Sequence, residues 1–85
     1  MADIVIYTRA YCSYCDWAKE LLQRKGVAFT EVDVTGNHER RTEMMDRANG
    51  RRTTPQIFIG ATHVGGCEEL YALDEAGELD PLLTA

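Results

Sequence analysis

Short apolar runs alternate along the chain with longer segments in which apolar residues recur every three or four positions, and that alternation predicts a mixed α/β fold. Ile4-Val5-Ile6-Tyr7-Thr8 is a near-continuous β-branched and aromatic run, as expected of a strand covered on both faces. From about Cys12 to Lys25, the residues Cys15, Ala18, Leu21 and Leu22 share one helical face, while Lys19, Gln23 and Arg24 point elsewhere. Gly26 is a natural stop for that helix. Val27 to Val34 reads as a second strand, alternating in its later half. Thr35-Gly36-Asn37 then punctuates, with Asn37 or Thr35 capping a helix that runs to about Asn49 and ends at Gly50. Its buried stripe of Met44, Met45 and Ala48 is thin. Gln56-Ile57-Phe58-Ile59 predicts a third strand, Gly60-Ala61 a two-residue hairpin turn, and Thr62-His63-Val64 the returning fourth. A last long helix opens near Cys67 and carries Leu70, Tyr71 and Leu73 towards Gly77, and Leu79, Leu82 and Leu83 make a short closing helix.

The first two strands, joined by a helical crossover, should therefore be parallel and right-handed, and the hairpin should add antiparallel strands to the same sheet. No repeat, linker or low-complexity tract divides the 85 residues, so one domain over residues 1–85 is expected.

Composition narrows the function classes. With 45% hydrophobic and 27% charged residues the chain has an ordinary soluble balance, which argues against disorder. No apolar run approaches the roughly 18–20 residues needed to span a bilayer, so no membrane partner is expected. The net charge of −5 gives no reason to expect nucleic acid. Charge is unevenly spread, however: acidic residues crowd from Glu68 to Asp80, whereas Arg40, Arg41, Arg47, Arg51 and Arg52 form a basic middle on which a small anion can dock. Met1-Ala2-Asp3 leads straight into the first strand and leaves no room for the regions of a signal peptide; a cytoplasmic protein is expected.

The chemistry concentrates at Cys12-Ser13-Tyr14-Cys15, where the first strand gives way to the first helix. Three cysteines are an odd number for a disulfide framework, and in a reducing compartment such a pair points to redox or metal chemistry. A zinc site would need further ligands at short spacing, and only Cys67, His38 and His63 remain, scattered along the chain. A thiol in the first turn of a helix faces unpaired backbone N–H groups and the positive end of the helix dipole, both of which favour the thiolate. The i, i+3 spacing places the two sulfurs on nearly the same side, within the range a disulfide tolerates. Cys12, nearer the helix end and close to Arg9, is thus the expected attacking sulfur, and Cys15, one turn in, the resolving one.

With these cysteines, Thr54-Pro55 just before the third strand, and Gly65-Gly66-Cys67-Glu68-Glu69 opening the last long helix, the chain resembles a glutaredoxin nearly end to end. The resemblance implies a thioredoxin-like α/β fold, a four-stranded mixed sheet flanked by helices. It also implies glutathione-dependent reduction of protein–glutathione mixed disulfides and of protein disulfides. Thr54-Pro55 should then hold a cis peptide bond, which proline makes cheap, presenting the backbone of Thr54 beside Cys12 to the cysteine residue of glutathione. Gly65 and Gly66 would let the backbone approach closely. The N–H groups of Cys67, Glu68 and Glu69 would form a socket for the γ-glutamyl carboxylate, with the Glu69 side chain receiving its ammonium group. Arg9 and Arg41 would clamp the glycine carboxylate, and Tyr14 would wall the groove. The implied partners are glutathione and glutathionylated or disulfide-bonded proteins, and the implied state is a monomer.

Three departures from the family pattern matter. Ser13 stands where proline is commoner, restoring a backbone N–H and adding a hydroxyl. Family sites lacking that proline include members that hold an iron–sulfur cluster between two subunits, so the alternative function is a glutathione-ligated [2Fe–2S] dimer, a carrier or sensor with Cys12 as an iron ligand. Thr54 stands where valine is usual, and since backbone atoms carry the contact its side chain is expected to change little. Arg9 replaces a commoner lysine, keeping the charge with a different geometry. A thioredoxin-type reductase recycled by a flavoprotein is disfavoured by Gly65-Gly66, by the acidic helix start and by Tyr11 in place of a tryptophan before the first cysteine. Cys67 is either a small residue packing under the glycines or a third thiol prone to side disulfides. Trp17 reads as recognition surface or packing, His38 and His63 as surface residues, and Arg51 and Arg52 as solvated or, alternatively, as guides for glutathione's carboxylates or acidic substrates.

Overall fold

Residues 2–85 are described by a computed structural model. Its elements are β1 (Ile4–Thr8), α1 (Ser13–Arg24), β2 (Thr30–Asp33), α2 (His38–Arg47), β3 (Gln56–Ile59), β4 (Thr62–Gly65), α3 (Cys67–Glu75) and α4 (Leu79–Leu83). The strands form one sheet in the order β2-β1-β3-β4. β1 and β2 run parallel, whereas β1/β3 and β3/β4 are antiparallel. This is the four-stranded mixed sheet of a thioredoxin-like fold.

The period-two geometry of a strand splits the central residues between two faces. Ile4 and Ile6 of β1, with Ile57 and Ile59 of β3, pack against Ala18, Leu21 and Leu22 of α1, Leu70 of α3, and Leu79 and Leu83 of α4. Tyr7 and Phe58 point the other way, towards Val34, Met44 and Ala48. The apolar stripe of α2 is as thin as its sequence suggests, and polar ties complete its attachment. The Tyr7 hydroxyl donates to Glu43 Oε2 at 2.6 Å, Arg47 donates to that hydroxyl at 2.9 Å, and the Arg47 guanidinium lies 4.2 Å from the centre of the Phe58 ring. On the opposite face Lys25, the C-cap of α1, reaches Asp74 of α3 at 2.6 Å and Asp80 of α4 at 3.0 Å.

The structure corrects the sequence expectation in three places. The second strand begins at Thr30, not Val27, because the parallel ladder on the short β1 starts at Val5↔Thr30 and offers no earlier partner. Val27 and Phe29 serve instead as partly buried packing against the larger core. The second helix ends at Arg47, two residues early, as Asn49 takes a left-handed conformation (φ 55°) ahead of Gly50. His63 is no free surface residue: its ring stacks on Phe58 with centroids 4.8 Å apart, and its Nε2 meets Gln56 Oε1 at 2.8 Å. The Gln56 amide group is already donating to the carbonyl and hydroxyl oxygens of Thr53. Its oxygen is therefore the acceptor, and the His63 Nε2 carries the proton.

Topology then gathers one end of the sheet. β1 leaves the sheet into the N-terminus of α1, and β3 enters it directly after Pro55 with Tyr7 opposite Gln56. β4 ends at Gly65, opposite Ile57, and runs into α3. Three segments distant in sequence, around Cys12, Thr54 and Gly66, meet there.

Candidate active site

Cys12 caps α1. Its backbone is extended (φ −118°, ψ 102°), and its Sγ accepts the backbone N–H of Cys15 at 3.1 Å, the contact an oxygen makes at an ordinary helix N-cap. Thr54 approaches from the other side, with its carbonyl oxygen and its Oγ1 each 3.7 Å from the same sulfur. The Thr54-Pro55 peptide is cis. Burial pushes the Cys12 thiol up, but hydrogen bonds from the Cys15 side chain, the Thr54 hydroxyl and the Cys15 backbone, together with the charge of Arg9, outweigh it and hold Cys12 below the ordinary thiol value. Cys15 is buried at the base of the turn, and burial together with its bond to Cys12 pushes it up to about 11. Cys67 is raised as well, by burial and by the charge of Glu68. One spacing has thus produced two unlike sulfurs, one lowered and partly accessible, the other raised and covered.

That contrast is directly measurable. Because the thiolate is the reacting form, iodoacetamide at neutral pH should modify Cys12 first and leave Cys15 and Cys67 intact, as read by peptide mass mapping. The Cys12 rate should fall as pH drops through a midpoint below the roughly 8.5 of free cysteine. Equal labelling of Cys12 and Cys15 at neutral pH would contradict the geometry.

A groove of about 280 Å³ that reaches Thr54, whose hydroxyl meets the Cys12 sulfur, is lined by most of the residues singled out in the sequence: Tyr14, Thr54, Pro55, and Gly66, Cys67, Glu68 and Glu69 at the start of α3. It also takes in Arg51 and Thr53. Arg51 is therefore not simply solvated, because its NH1 meets Glu69 Oε1 at 3.1 Å. The same carboxylate oxygen accepts the backbone N–H of Gly66 at 2.7 Å. That backbone bond, more than offsetting burial and aided by Arg51, holds the Glu69 carboxyl below its usual value. Glu69 Oε1 is committed to this pairing, leaving its other carboxylate oxygen and the N–H groups of Cys67 and Glu68, which no intrahelical carbonyl can reach. Arg9 and Arg41 lie elsewhere, together on a separate depression of about 390 Å³ that also includes Tyr11.

Three features escaped the sequence reading. Arg51 and Thr53 carried a faint signal, since both lie just upstream of Thr54-Pro55 on a segment that had to return to the site. The left-handed backbone of Tyr11 (φ 58°), whose side chain is fully exposed, carried none. Nor did the contact of the Thr54 hydroxyl with Cys12, where the side chain was expected to matter little. Trp17 is half-exposed and meets Tyr14 edge to face at 5.4 Å, extending the aromatic wall.

A helix-capping cysteine lies beside a cis-proline turn and near a groove with charged residues of both signs, and known proteins resemble the chain that carries them. A glutaredoxin family model matches residues 4–64. The chain is 57% identical to glutaredoxin 3 of Escherichia coli strain K12 over 83 residues, 98% of this chain and 99% of that protein. It superposes with a TM-score of 0.85 on the solution structure of glutaredoxin from Brucella melitensis, at 57% identity over 98% of this chain and 89% of that one. The crystal structure of a buckwheat glutaredoxin–glutathione complex matches equally in shape, TM-score 0.85, at 28% identity over 98% of this chain and 77% of that one. The chain thus belongs to the glutaredoxin family, whose members are thiol–disulfide oxidoreductases.

Proposed function

We propose that this chain is a glutathione-dependent oxidoreductase, one glutaredoxin domain over residues 1–85, that reduces protein–glutathione mixed disulfides and protein disulfides. The observation that carries the reading is the Cys12 sulfur, capping a helix and held below the ordinary thiol value, near a groove that offers helix N–H groups, Arg51 and Glu69 within one cavity. In the first step the Cys12 thiolate attacks the glutathione sulfur of a mixed disulfide. The Cys12–glutathione disulfide forms, the bond to the protein sulfur breaks, and the departing protein thiolate takes a proton from water. A second glutathione thiolate then attacks the glutathione sulfur of that adduct, releasing oxidised glutathione and restoring the Cys12 thiolate. Protein disulfides follow the dithiol route: Cys12 attacks, Cys15 displaces the second protein thiol to give the Cys12–Cys15 disulfide, and two glutathione molecules reduce it.

In this reading the N–H groups of Cys67 and Glu68 take the γ-glutamyl carboxylate, while the backbone of Thr54 pairs with the cysteine residue of the tripeptide. Glu69, balanced by Arg51, faces the ammonium group, and Arg9 and Arg41 offer cationic ends for a glycine carboxylate reaching past Cys12. Tyr14 and Pro55 bound the groove on its apolar side. The reading carries with it a reducing compartment, the cytoplasm, and a monomeric state.

The second reading is a glutathione-ligated cluster-holding dimer, for which Cys12 is the accessible sulfur of the turn while Cys15 is covered. One chain would supply a single ligand, and a second copy and two external thiolates would have to supply the rest.

The test is a coupled assay with the mixed disulfide of glutathione and a small thiol, reduced glutathione, its flavoprotein reductase and nicotinamide cofactor. Turnover should require glutathione and saturate in the mixed disulfide. Recycling by a thioredoxin-type reductase, with no turnover on glutathione, would overturn the reading.

A further inference from the structure

The segment that brings Thr54 to the reacting sulfur is held by little of its own backbone. Beyond Arg51, whose N–H reaches the Ala48 carbonyl, residues 52–55 lie in no helix or strand, and among the described residues they make no backbone–backbone hydrogen bond. Their ties are to side chains. Thr54 meets Cys12 Sγ, and Thr53 meets the amide of Gln56, whose Nε2 donates to the Thr53 carbonyl at 2.9 Å and to its Oγ1 at 3.2 Å. Gln56 is fully buried, an uncommon place for an amide side chain. Its other polar atom, Oε1, accepts the Nε2–H of His63 at 2.8 Å, so both ends of the amide are engaged. His63 belongs to β4, which ends at Gly65 and leads into Gly66, itself a lining residue of the groove. The two sides of that lining approach closely: a Cβ at Gly66 would stand 3.4 Å from the Pro55 carbonyl oxygen.

We propose that Gln56 is a positioning residue for the groove: its buried amide, oriented by His63, clamps Thr53 and thereby fixes how Thr53, Thr54 and Pro55 stand against Gly66 and Cys12. Its effect on turnover rests on the glutathione-dependent reading, in which this groove seats the tripeptide. The amide can face only one way. Turned over, it would set Oε1 against the Thr53 carbonyl oxygen, two acceptors face to face. His63 holds the working orientation because its own ring is fixed, stacked on Phe58 with centroids 4.8 Å apart. Thr53 is exposed, so without the amide its carbonyl and hydroxyl turn to water, and the segment's only remaining hydrogen bonds are the long ones to sulfur. A lining that must be ordered at each binding event lowers affinity. The nucleophile is spared, since Cys12 Sγ takes the N–H of Cys15 from its own helix.

Two measurements on the full chain test this, in wild type, Gln56→Met, His63→Phe and the double variant. Methionine keeps the length of the glutamine side chain without its amide, and phenylalanine keeps a ring on Phe58 without the donor. The first measurement is nitrogen-15 relaxation, which uses no glutathione. The Thr54 N–H should be rigid in wild type, with an order parameter of about 0.85, and fall to about 0.6 or below in Gln56→Met. His63→Phe should lower it by less. Gly26→Ala, a destabilising change at the far end of α1, should leave it unmoved. The second is the coupled assay with a glutathione mixed disulfide. KM should rise about three- to tenfold in Gln56→Met with kcat within about twofold, the pattern of lost binding and not of lost chemistry. The double variant should be no worse than Gln56→Met, because His63 acts only through the amide. An unmoved Thr54 order parameter in Gln56→Met overturns the clamp; if that variant does not fold, an unmoved value in His63→Phe does the same. A mobile segment with wild-type KM overturns its part in binding, and a double variant worse than Gln56→Met overturns the role of His63. Absence of turnover with glutathione in wild type would instead sink the glutathione-dependent reading, and the relaxation result would still decide the clamp.

Discussion

Cys12→Ser should abolish both reactions, by at least about 10³-fold, because an alcohol at that position neither ionises near neutrality nor forms a disulfide. Cys15→Ser should separate them. Deglutathionylation of a small mixed disulfide needs one sulfur and should persist within a few-fold of wild type, whereas reduction of a protein disulfide needs the resolving thiol and should fall to near background. The structure supplies the reason for this asymmetry. Cys12 is lowered by the N–H of Cys15, by Thr54 and by Arg9, against the cost of burial, while Cys15 is pushed up to about 11 by burial and by its bond to Cys12. Kinetics on the two substrates side by side provide the check. Equal loss from both variants on the small mixed disulfide would refute the assignment of roles.

Gly65→Ala should be the most damaging single methyl group near the site. The backbone there has φ +113°, a conformation that L side chains rarely adopt, at a cost of about 1–3 kcal/mol. The added Cβ would also fall 2.7 Å from Glu69 Oε1 and 2.8 Å from Arg51 NH1. Both are far ends of flexible side chains, so steric relief is available, but only by parting the pair that organises the groove. Melting should drop by roughly 5–20 °C, given about 4–8 °C per kcal/mol for a chain of this size. KM for a glutathione mixed disulfide should rise about tenfold with kcat less affected, since Cys12 is not touched. Gly26→Ala is the control: φ is also positive, +72°, but nothing lies within 4 Å of its Cβ. It should lower stability and leave KM unchanged. A Gly65→Ala protein with wild-type KM would show that the Arg51–Glu69 pair plays no part in binding.

What the sequence disclosed depended on how local the cause was. β1, α1 and the β3–β4 hairpin were legible because one strand is apolar on both faces, one helix has a clean stripe at Cys15, Ala18, Leu21 and Leu22, and one turn is glycine-led. The start of β2 was not, since it is set by register with β1 and not by the apolar character of Val27 and Phe29. The two cysteines announced themselves by spacing. The pairing of Arg51 with Glu69, 18 residues apart, did not, because only the return of β4 to β3 brings them together, although Glu69 itself was singled out from the sequence. His63 looked like a hairpin polar residue, and its stacking on Phe58 depends on a bulged register between Ile57 and Phe58 that no pattern encodes. Thr54 was misjudged for a chemical reason: only its backbone was considered, and the hydroxyl happens to point at sulfur.

The middle ladder of the sheet, β1 against β3, has an implication for biosynthesis. Cys12 and Cys15 leave the ribosome early, inside the first strand–helix–strand portion, well before Thr54, Gly65 and Gly66. Until β3 zips onto β1 that nascent portion displays its thiols without the neighbouring groove. The surroundings of both sulfurs are therefore a late product of completing the sheet, finished by the same hydrogen-bonded seam that finishes the polypeptide.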